Sequence, residues 1–268
     1  MQKVILVTGS TDGIGFETAK MLVSQGHHVL LHGRNPAKLN DVEQQLNKLH
    51  GNAKVETFVA DLSKLSEIDM LAKAITEKHS HIDALINNAG VYNAPVATTD
   101  DGFDVRYAVN TFAPYLLTKA LLPLLGQHGR VINLSSAAQA TVNLTALAGD
   151  KPLSAGDAYA QSKLAITMWS RSMGLALKET GPMIASVNPK SLLGSKMVKS
   201  AFGIAGSDLS VGADILVRGA LSDEFANAHG LYFDNDIGQF GQPHPDALND
   251  QKVDAVMKAM DSALERFQ

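Results

Sequence analysis

A short apolar run from Lys3 to Thr8 leads directly into Gly9-Ser10-Thr11-Asp12-Gly13-Ile14-Gly15, and then into the helical spacing Phe16, Ala19, Leu22, Val23 that stops at Gly26. This order of strand, glycine turn and helix constrains the chain more than any other stretch. Glycine reaches backbone angles closed to other residues and lets a ligand come close to the main chain. The first turn of the helix behind it offers unbonded N–H groups at the positive end of the helix dipole. The turn is therefore read as a phosphate cradle made by Gly9, Ser10, Thr11, Asp12, Gly13, Ile14 and Gly15. Glycines can also do no more than end a strand, but their place between a strand and a helix favours the cradle.

The alternation continues through the chain. Val29-Leu30-Leu31, Val55 to Ala60, Ile82 to Ile86, Arg130 to Leu134, Met183 to Val187 and Leu231-Tyr232-Phe233 read as further strands. Helical spacing separates them, over Leu39 to Leu49, after Ser63, over Phe103 to Leu125, from Tyr159 to about Thr180, and over Val211 to Leu221; a last helix is expected over Gln251 to Phe267. Seven strands in this order predict one α/β domain over residues 1–268, a doubly wound parallel sheet of about seven strands flanked by helices. Ligands of such sheets sit at the C-terminal edge of the strands, so the residues that follow each strand are the candidates for function.

After the second strand come Gly33 and Arg34, with Asn35 and Pro36 as the cap and first position of the next helix. An acidic residue here would bind a ribose 2′-hydroxyl; Gly33 leaves room for a 2′-phosphate and Arg34 supplies a guanidinium to pair with it. NADP(H) is thus expected over NAD(H), against the alternative that Arg34 is a solvated loop charge. Asp61, followed by Leu62, could take the adenine amino group or cap a helix. Asn87-Asn88-Ala89-Gly90 could tie neighbouring strands or line the crevice.

In Asp157-Ala158-Tyr159-Ala160-Gln161-Ser162-Lys163 a tyrosine and a lysine four apart project from one helix face. An ammonium beside a phenol favours the phenolate and brings an acid of pKa ~10 into use near neutrality; the competing reading is an ordinary amphipathic helix. Ser135-Ser136 stand at the end of a strand, where a hydroxyl can donate to a substrate oxygen. Asn110 lies among apolar residues and needs a hydrogen-bond partner. The stretch over about 189–210, rich in Gly and Ser and without a strong period, reads as a mobile substrate loop.

Composition narrows the field. The net charge of -4 and the lack of a basic tract argue against nucleic acid. With no cysteine, disulfides and thiolate metal ligands are excluded, and no metal site is expected. No run near Met1 suits a secretion signal and no stretch approaches the ~20 apolar residues of a membrane span, so a soluble cytoplasmic protein with no membrane partner is expected.

Together Thr8-Gly9-x-x-x-Gly13-Ile14-Gly15, Asp61, Asn87-Asn88-Ala89-Gly90, Asn110, Ser135-Ser136 and Tyr159-x-x-x-Lys163 resemble the short-chain dehydrogenase/reductase family, over Lys3 to about Phe233. The resemblance implies a Rossmann-type fold and an NADP(H)-dependent oxidoreductase that interconverts an alcohol with a ketone or aldehyde. It makes Tyr159 the general acid, has Lys163 lower its pKa and hold the nicotinamide ribose, lets Ser136 orient the substrate oxygen, and gives Asn110 a proton-relay water. It also adds Asp61, Leu62, Asn88, Ala89, Gly90 and Pro189 to the cofactor contacts. The long segment before Tyr159 and the Leu231-Tyr232-Phe233 ending look like the retinol-dehydrogenase-like branch, which implies a bulky apolar substrate. Lys190 stands where the family's Asn-Pro-Gly turn has glycine, and the usual Asp-Gly-Gly near the C-terminus is absent, leaving a homodimer or homotetramer open. The alternative function is a non-catalytic NADPH-binding regulator or scaffold, against which the complete Ser136, Tyr159 and Lys163 set argues.

Overall fold

The structure, a computed structural model, describes residues 1–49, 51–265 and 267. β1 (Val4–Val7), α1 (Gly13–Ser24), β2 (His28–Gly33), α2 (Pro36–Leu46), β3 (Lys54–Val59), α3 (Leu65–Lys78) and β4 (Ala84–Asn87) come first. A helical run then carries α4 (Val105–Tyr107), a π-helical turn over Ala108–Phe112 and α5 (Ala113–Leu125). β5 (Arg130–Leu134), the short α6 (Leu144–Leu147), α7 (Ala155–Ala176) and β6 (Met183–Asn188) follow. The chain ends with α8 (Lys196–Phe202), α9 (Leu209–Leu221), β7 (Tyr232–Asp234), β8 (Gln239–Gly241) and α10 (Asp250–Glu265).

The strands lie in the order β3-β2-β1-β4-β5-β6-β7-β8. All neighbours are parallel up to β7, and β8 turns back antiparallel against it. The sheet therefore has eight strands where seven were expected. The extra one, Gln239–Gly241, is three residues long and half-exposed, too short for an alternating pattern to register.

Alternate residues of the central strands enter two separate cores. Ile5, Val7, Val29, Leu31, Ile86 and Ile132 pack with α1, α2 and α9 on one face, while Leu6, Leu30, Leu85, Val131 and Ile184 pack with α3, α5, α7 and α10 on the other. A strand buried on both sides needs a continuous apolar run, which is how these strands read. Each fully buried leucine or isoleucine contributes about 1.5–3 kcal/mol. With both faces covered, the C-terminal edge of the strands is left for chemistry. There the chain order reverses between β1 and β4, the switch point at which such sheets open a crevice.

One expectation is corrected. The run Val105–Leu125 is long and apolar enough, by length and composition, to cross a membrane; of an 18-residue window in it, 72% is buried inside the fold. The stretch over 189–210 carries α8 behind Ser195, whose hydroxyl accepts from the Val198 N–H at 3.2 Å. A bridge between Leu193 and Ser207 also closes its base.

Candidate active site

The glycine turn after β1 has the backbone its sequence requires. Gly9 and Gly13 sit at φ +65° and +56°, angles that strain any L side chain. A Cβ on Gly15 would stand 2.2 Å from the Gly9 carbonyl oxygen, so a larger residue would push the helix off the turn. Asp12 caps α1, its carboxylate accepting from the Gly13 N–H at 2.9 Å. The Ile14 and Gly15 amides, inside the first turn, have no intrahelical acceptor.

Not every predicted residue faces that cradle. Ser10 is fully buried, and its hydroxyl and N–H both bond to the His32 main chain, the hydroxyl donating to the carbonyl at 3.2 Å and accepting from the His32 N–H at 3.0 Å. The His32 ring supports the turn from below: its Nδ1 accepts from the Gly9 N–H at 3.1 Å and its Nε2 lies 3.1 Å from the Ala60 carbonyl. Accepting at one nitrogen and donating at the other requires the neutral ring, and burial lowers its pKa to about 4. A lone histidine on an apolar strand carried no sequence signal for this role.

Across the switch point, the Asn88 amide donates to the Thr8 carbonyl at 2.9 Å and to that of Gly9 at 3.2 Å. The Ala89 N–H donates to the Thr8 hydroxyl at 3.0 Å, and a Cβ on Gly9 would meet Ala89 Cα at 2.9 Å. Asn87 donates to Asn133 on β5 at 2.8 Å. Tying strands is one of the two uses open to these amides, and their side chains make those bonds.

At the end of β2, Gly33 leaves space that Thr11 fills, since a Cβ there would lie 2.8 Å from Thr11 Cγ2. Arg34 is exposed beside it. The Asp61 carboxylate accepts from the Ser63 N–H at 3.0 Å and hydroxyl at 2.8 Å. It closes a local turn rather than capping α3, whose cap is Lys64. Its pKa is lowered: burial would raise it, but the Ser63 hydrogen bonds and the nearby Arg34 charge outweigh that. Leu62 is buried in the core, so its side chain does not face the crevice.

α7 begins at Ser154, whose hydroxyl accepts from the Asp157 N–H at 3.1 Å, and its first turns bring Tyr159 and Lys163 to the end of β5. Lys163 is buried at 3% exposure, with Nζ donating to the Leu134 carbonyl at 2.7 Å and lying 5.7 Å from the centre of the Tyr159 ring. Burial lowers its pKa to about 7. The Tyr159 pKa is raised, chiefly by burial and further by Tyr92, whose ring is 5.0 Å away, while the Ser136 hydroxyl pulls it down. In the protein alone the phenol is thus shifted up, opposite to the expected lowering, because its own burial outweighs the Ser136 hydrogen bond.

The two serines separate cleanly. Ser135 is buried, its hydroxyl 2.7 Å from that of Thr167 and 3.1 Å from the Lys163 carbonyl. Ser136 is half-buried beside Tyr159, its hydroxyl accepting from the Ala138 N–H at 3.1 Å. Asn110 lies inside the π-helical turn, a feature no sequence pattern announced and one common at functional sites. It pairs with both main-chain groups of Val91, at 2.8 and 3.0 Å, and donates to Ser162 at 3.0 Å. A Cβ on Gly90 would stand 3.4 Å from Asn110 Oδ1 and 3.6 Å from Lys163 Nζ, so Gly90 opens the floor between them.

The turn after β6 is held by the β7–β8 hairpin. Asn188 donates to Asp234 and Asp236, each at 2.8 Å, and Asn235 donates to the Pro189 carbonyl at 3.0 Å. Lys190 adopts φ +113°, keeping the glycine-type backbone without the glycine. α8 then reaches over the crevice, with Lys196 paired to Asp12 and Ser200 accepting from Asn93 at 3.0 Å. Lys196 escaped the sequence reading.

These residues fit a dinucleotide. Along the strand edge stand a guanidinium after β2, then the cradle and two helix N-terminal amides after β1, then an ammonium beside a phenol at the end of β5, the order of ribose phosphate, pyrophosphate and reacting ring.

Comparison with known proteins agrees. Residues 3–203 match the family described as short chain dehydrogenase. Retinol dehydrogenase 11 of Homo sapiens is 36% identical over 204 residues, covering 75% of this chain and 64% of its own. Polyprenol dehydrogenase of Homo sapiens is 34% identical over 209 residues, 75% of this chain and 63% of its own; the chain thus spans less than two thirds of either relative. A metagenomic short-chain oxidoreductase solved in complex with NADP superimposes with a TM-score of 0.61 at 28% identity, covering 81% of this chain and 90% of that one.

Proposed function

The chain belongs to the short chain dehydrogenase family, and from that premise we propose that it is an NADP(H)-dependent oxidoreductase interconverting an alcohol and a carbonyl compound. The observation that carries the reading is the convergence of the Ser136 hydroxyl, the Tyr159 phenol and the buried Lys163 beside Gly90 at the sheet's C-terminal edge. The bound cofactor supplies or accepts the hydride. In reduction Tyr159 gives its proton to the oxygen that gains charge, and Ser136 donates a hydrogen bond to the same atom. Lys163 holds positive charge beside the phenol and so favours the phenolate as the proton leaves. Asn110, fixed at both ends on Val91, keeps the floor beneath Lys163 rigid and would support a proton-relay water. Oxidation of an alcohol is the reverse.

The preference for NADP(H) rests on Arg34, exposed at the end of β2, where Gly33-Arg34-Asn35 carries no acidic residue. For the substrate we propose a bulky apolar alcohol, aldehyde or ketone. The retinol and polyprenol relatives support this. So do Val96, Leu144, Leu192 and Ile204, which are exposed on the segments leaving β4, β5 and β6; residues 189–210 act as the substrate loop.

The test is NADPH and NADH consumption over a panel of aldehydes and ketones, run also as oxidation of the matching alcohols, with Tyr159→Phe alongside. The variant loses one hydroxyl, so turnover falls by about 10²–10⁴ or more while cofactor binding persists. Wild-type turnover in Tyr159→Phe removes Tyr159 from the mechanism. Cofactor binding without turnover on any substrate favours a non-catalytic NADPH-binding regulator.

A further inference from the structure

Far from the crevice, at the opposite end of the strands, three ligand-type side chains from three separate elements meet. His28 opens β2, Glu56 lies on the edge strand β3, and His79 follows the last residue of α3. One Glu56 oxygen is 2.8 Å from His28 Nε2 and the other is 3.3 Å from His79 Nε2. Their ligand atoms all lie within 4.8 Å of one another. The imidazoles stand edge to face, centroids 5.4 Å apart.

Both Glu56 oxygens are engaged, one by His28 Nε2 and the other by His79 Nε2, and the His28 nitrogen is buried. A buried ring nitrogen facing a carboxylate and a second imidazole at this range, on three separate elements, has the arrangement of a metal ligand.

We propose that His28, Glu56 and His79 bind one divalent transition ion of the zinc class. Two imidazole nitrogens and a carboxylate oxygen suit Zn²⁺, and tetrahedral bonds of ~2.1 Å set ligand atoms about 3.4 Å apart, so modest side-chain rotation closes the site. Hard cations such as Mg²⁺ prefer oxygen donors and do not suit it. The ion joins the start of β2, the sheet edge and the end of α3, so it acts as a clamp on the fold and takes no part in hydride transfer. Phe58, its ring 6.5 Å from that of His79, backs the site. The inference does not depend on the proposed activity.

The experiment is Zn²⁺ titration of the full chain with a competing chromophoric chelator, Co²⁺ absorption as a second readout, and thermal unfolding with and without Zn²⁺. One ion per chain, a visible Co²⁺ spectrum of four-coordinate type and a higher Tm with Zn²⁺ are expected. Glu56→Gln and His79→Gln each weaken Zn²⁺ binding by about 100-fold or more, beyond the loss typical of a residue that merely orients a ligand. His81→Gln, at an exposed histidine nearby, leaves affinity unchanged. Should the ligand variants fold poorly, NMR of the wild-type imidazoles decides: Zn²⁺ shifts His28 and His79 and spares the other seven of the nine histidines. Failure to bind one ion, equal binding of Mg²⁺, unchanged affinity in both folded ligand variants, or shifts at histidines other than these two overturns the proposal.

Discussion

Lys190→Gly should make this protein more stable. Lys190 holds φ +113° because Asp234, Asn235 and Asp236 pin the residues on both sides of it. A side-chain-bearing residue at such angles costs about 1–3 kcal/mol. Glycine removes that strain but loses more freedom on folding, roughly 0.5–1 kcal/mol, so the net gain is about 1 kcal/mol. The Lys190 side chain is exposed, and little packing is lost with it. Its charge helps lower the Asp236 pKa, and Lys190→Ala loses that contribution equally while keeping a Cβ. The difference between the glycine and alanine variants therefore isolates the backbone. Urea unfolding followed by fluorescence of the single tryptophan, Trp169, which is fully buried and edge-on to Tyr115 at 5.6 Å, gives both values. The expected result is a gain of about 1 kcal/mol for glycine, some 2–4 °C in Tm, with alanine within about 0.5 kcal/mol of wild type. A glycine variant no more stable than wild type, or an alanine variant that gains as much, refutes the reasoning.

The buried Lys163, with its pKa lowered from 10.5 to about 7, binds fewer protons in the fold than in the unfolded chain between those values. Its cost to stability is therefore full below pH ~7 and relieved as pH rises toward ~10.5, by up to about 1.4 kcal/mol per pH unit. Lys163→Met in the cofactor-free protein should flatten that part of the stability profile measured by urea unfolding; an unchanged slope argues against a depressed lysine. Arg34→Ala should raise KM for NADPH by about 5- to 150-fold, the equivalent of ~1–3 kcal/mol for a charged hydrogen bond, and leave KM for NADH nearly unchanged. Equal losses with both cofactors count against a 2′-phosphate contact.

Much of the site could be read from local order. The Gly9 to Gly15 turn, the Tyr159–Lys163 spacing and the apolar runs that become β1 to β7 are short-range patterns, since strand, turn and helix preferences act over a few residues. The Asn35 cap followed by Pro36 is of the same kind, and the side chain does accept from the Lys38 N–H at 3.0 Å. The choice between Ser135 and Ser136 is different. Both hydroxyls are chemically alike, and only the pleat of β5 against α7 turns one toward Thr167 and the other toward Tyr159.

Local chemistry in the chain was thus enough for the strand and helix order, the glycine cradle and the face that carries the tyrosine and lysine. Tertiary packing settles what depends on distant partners: Ser10 turned inward onto His32, Leu62 sunk in the core, the π-helical turn that carries Asn110, α8 and Lys196 brought over Asp12, and His28, Glu56 and His79 gathered at one edge. The physical reason is that burial and pKa depend on neighbours far apart along the chain. His32 is held neutral, and Tyr159 and Lys163 are shifted, chiefly by desolvation, a property of the folded interior that no spacing of residues encodes.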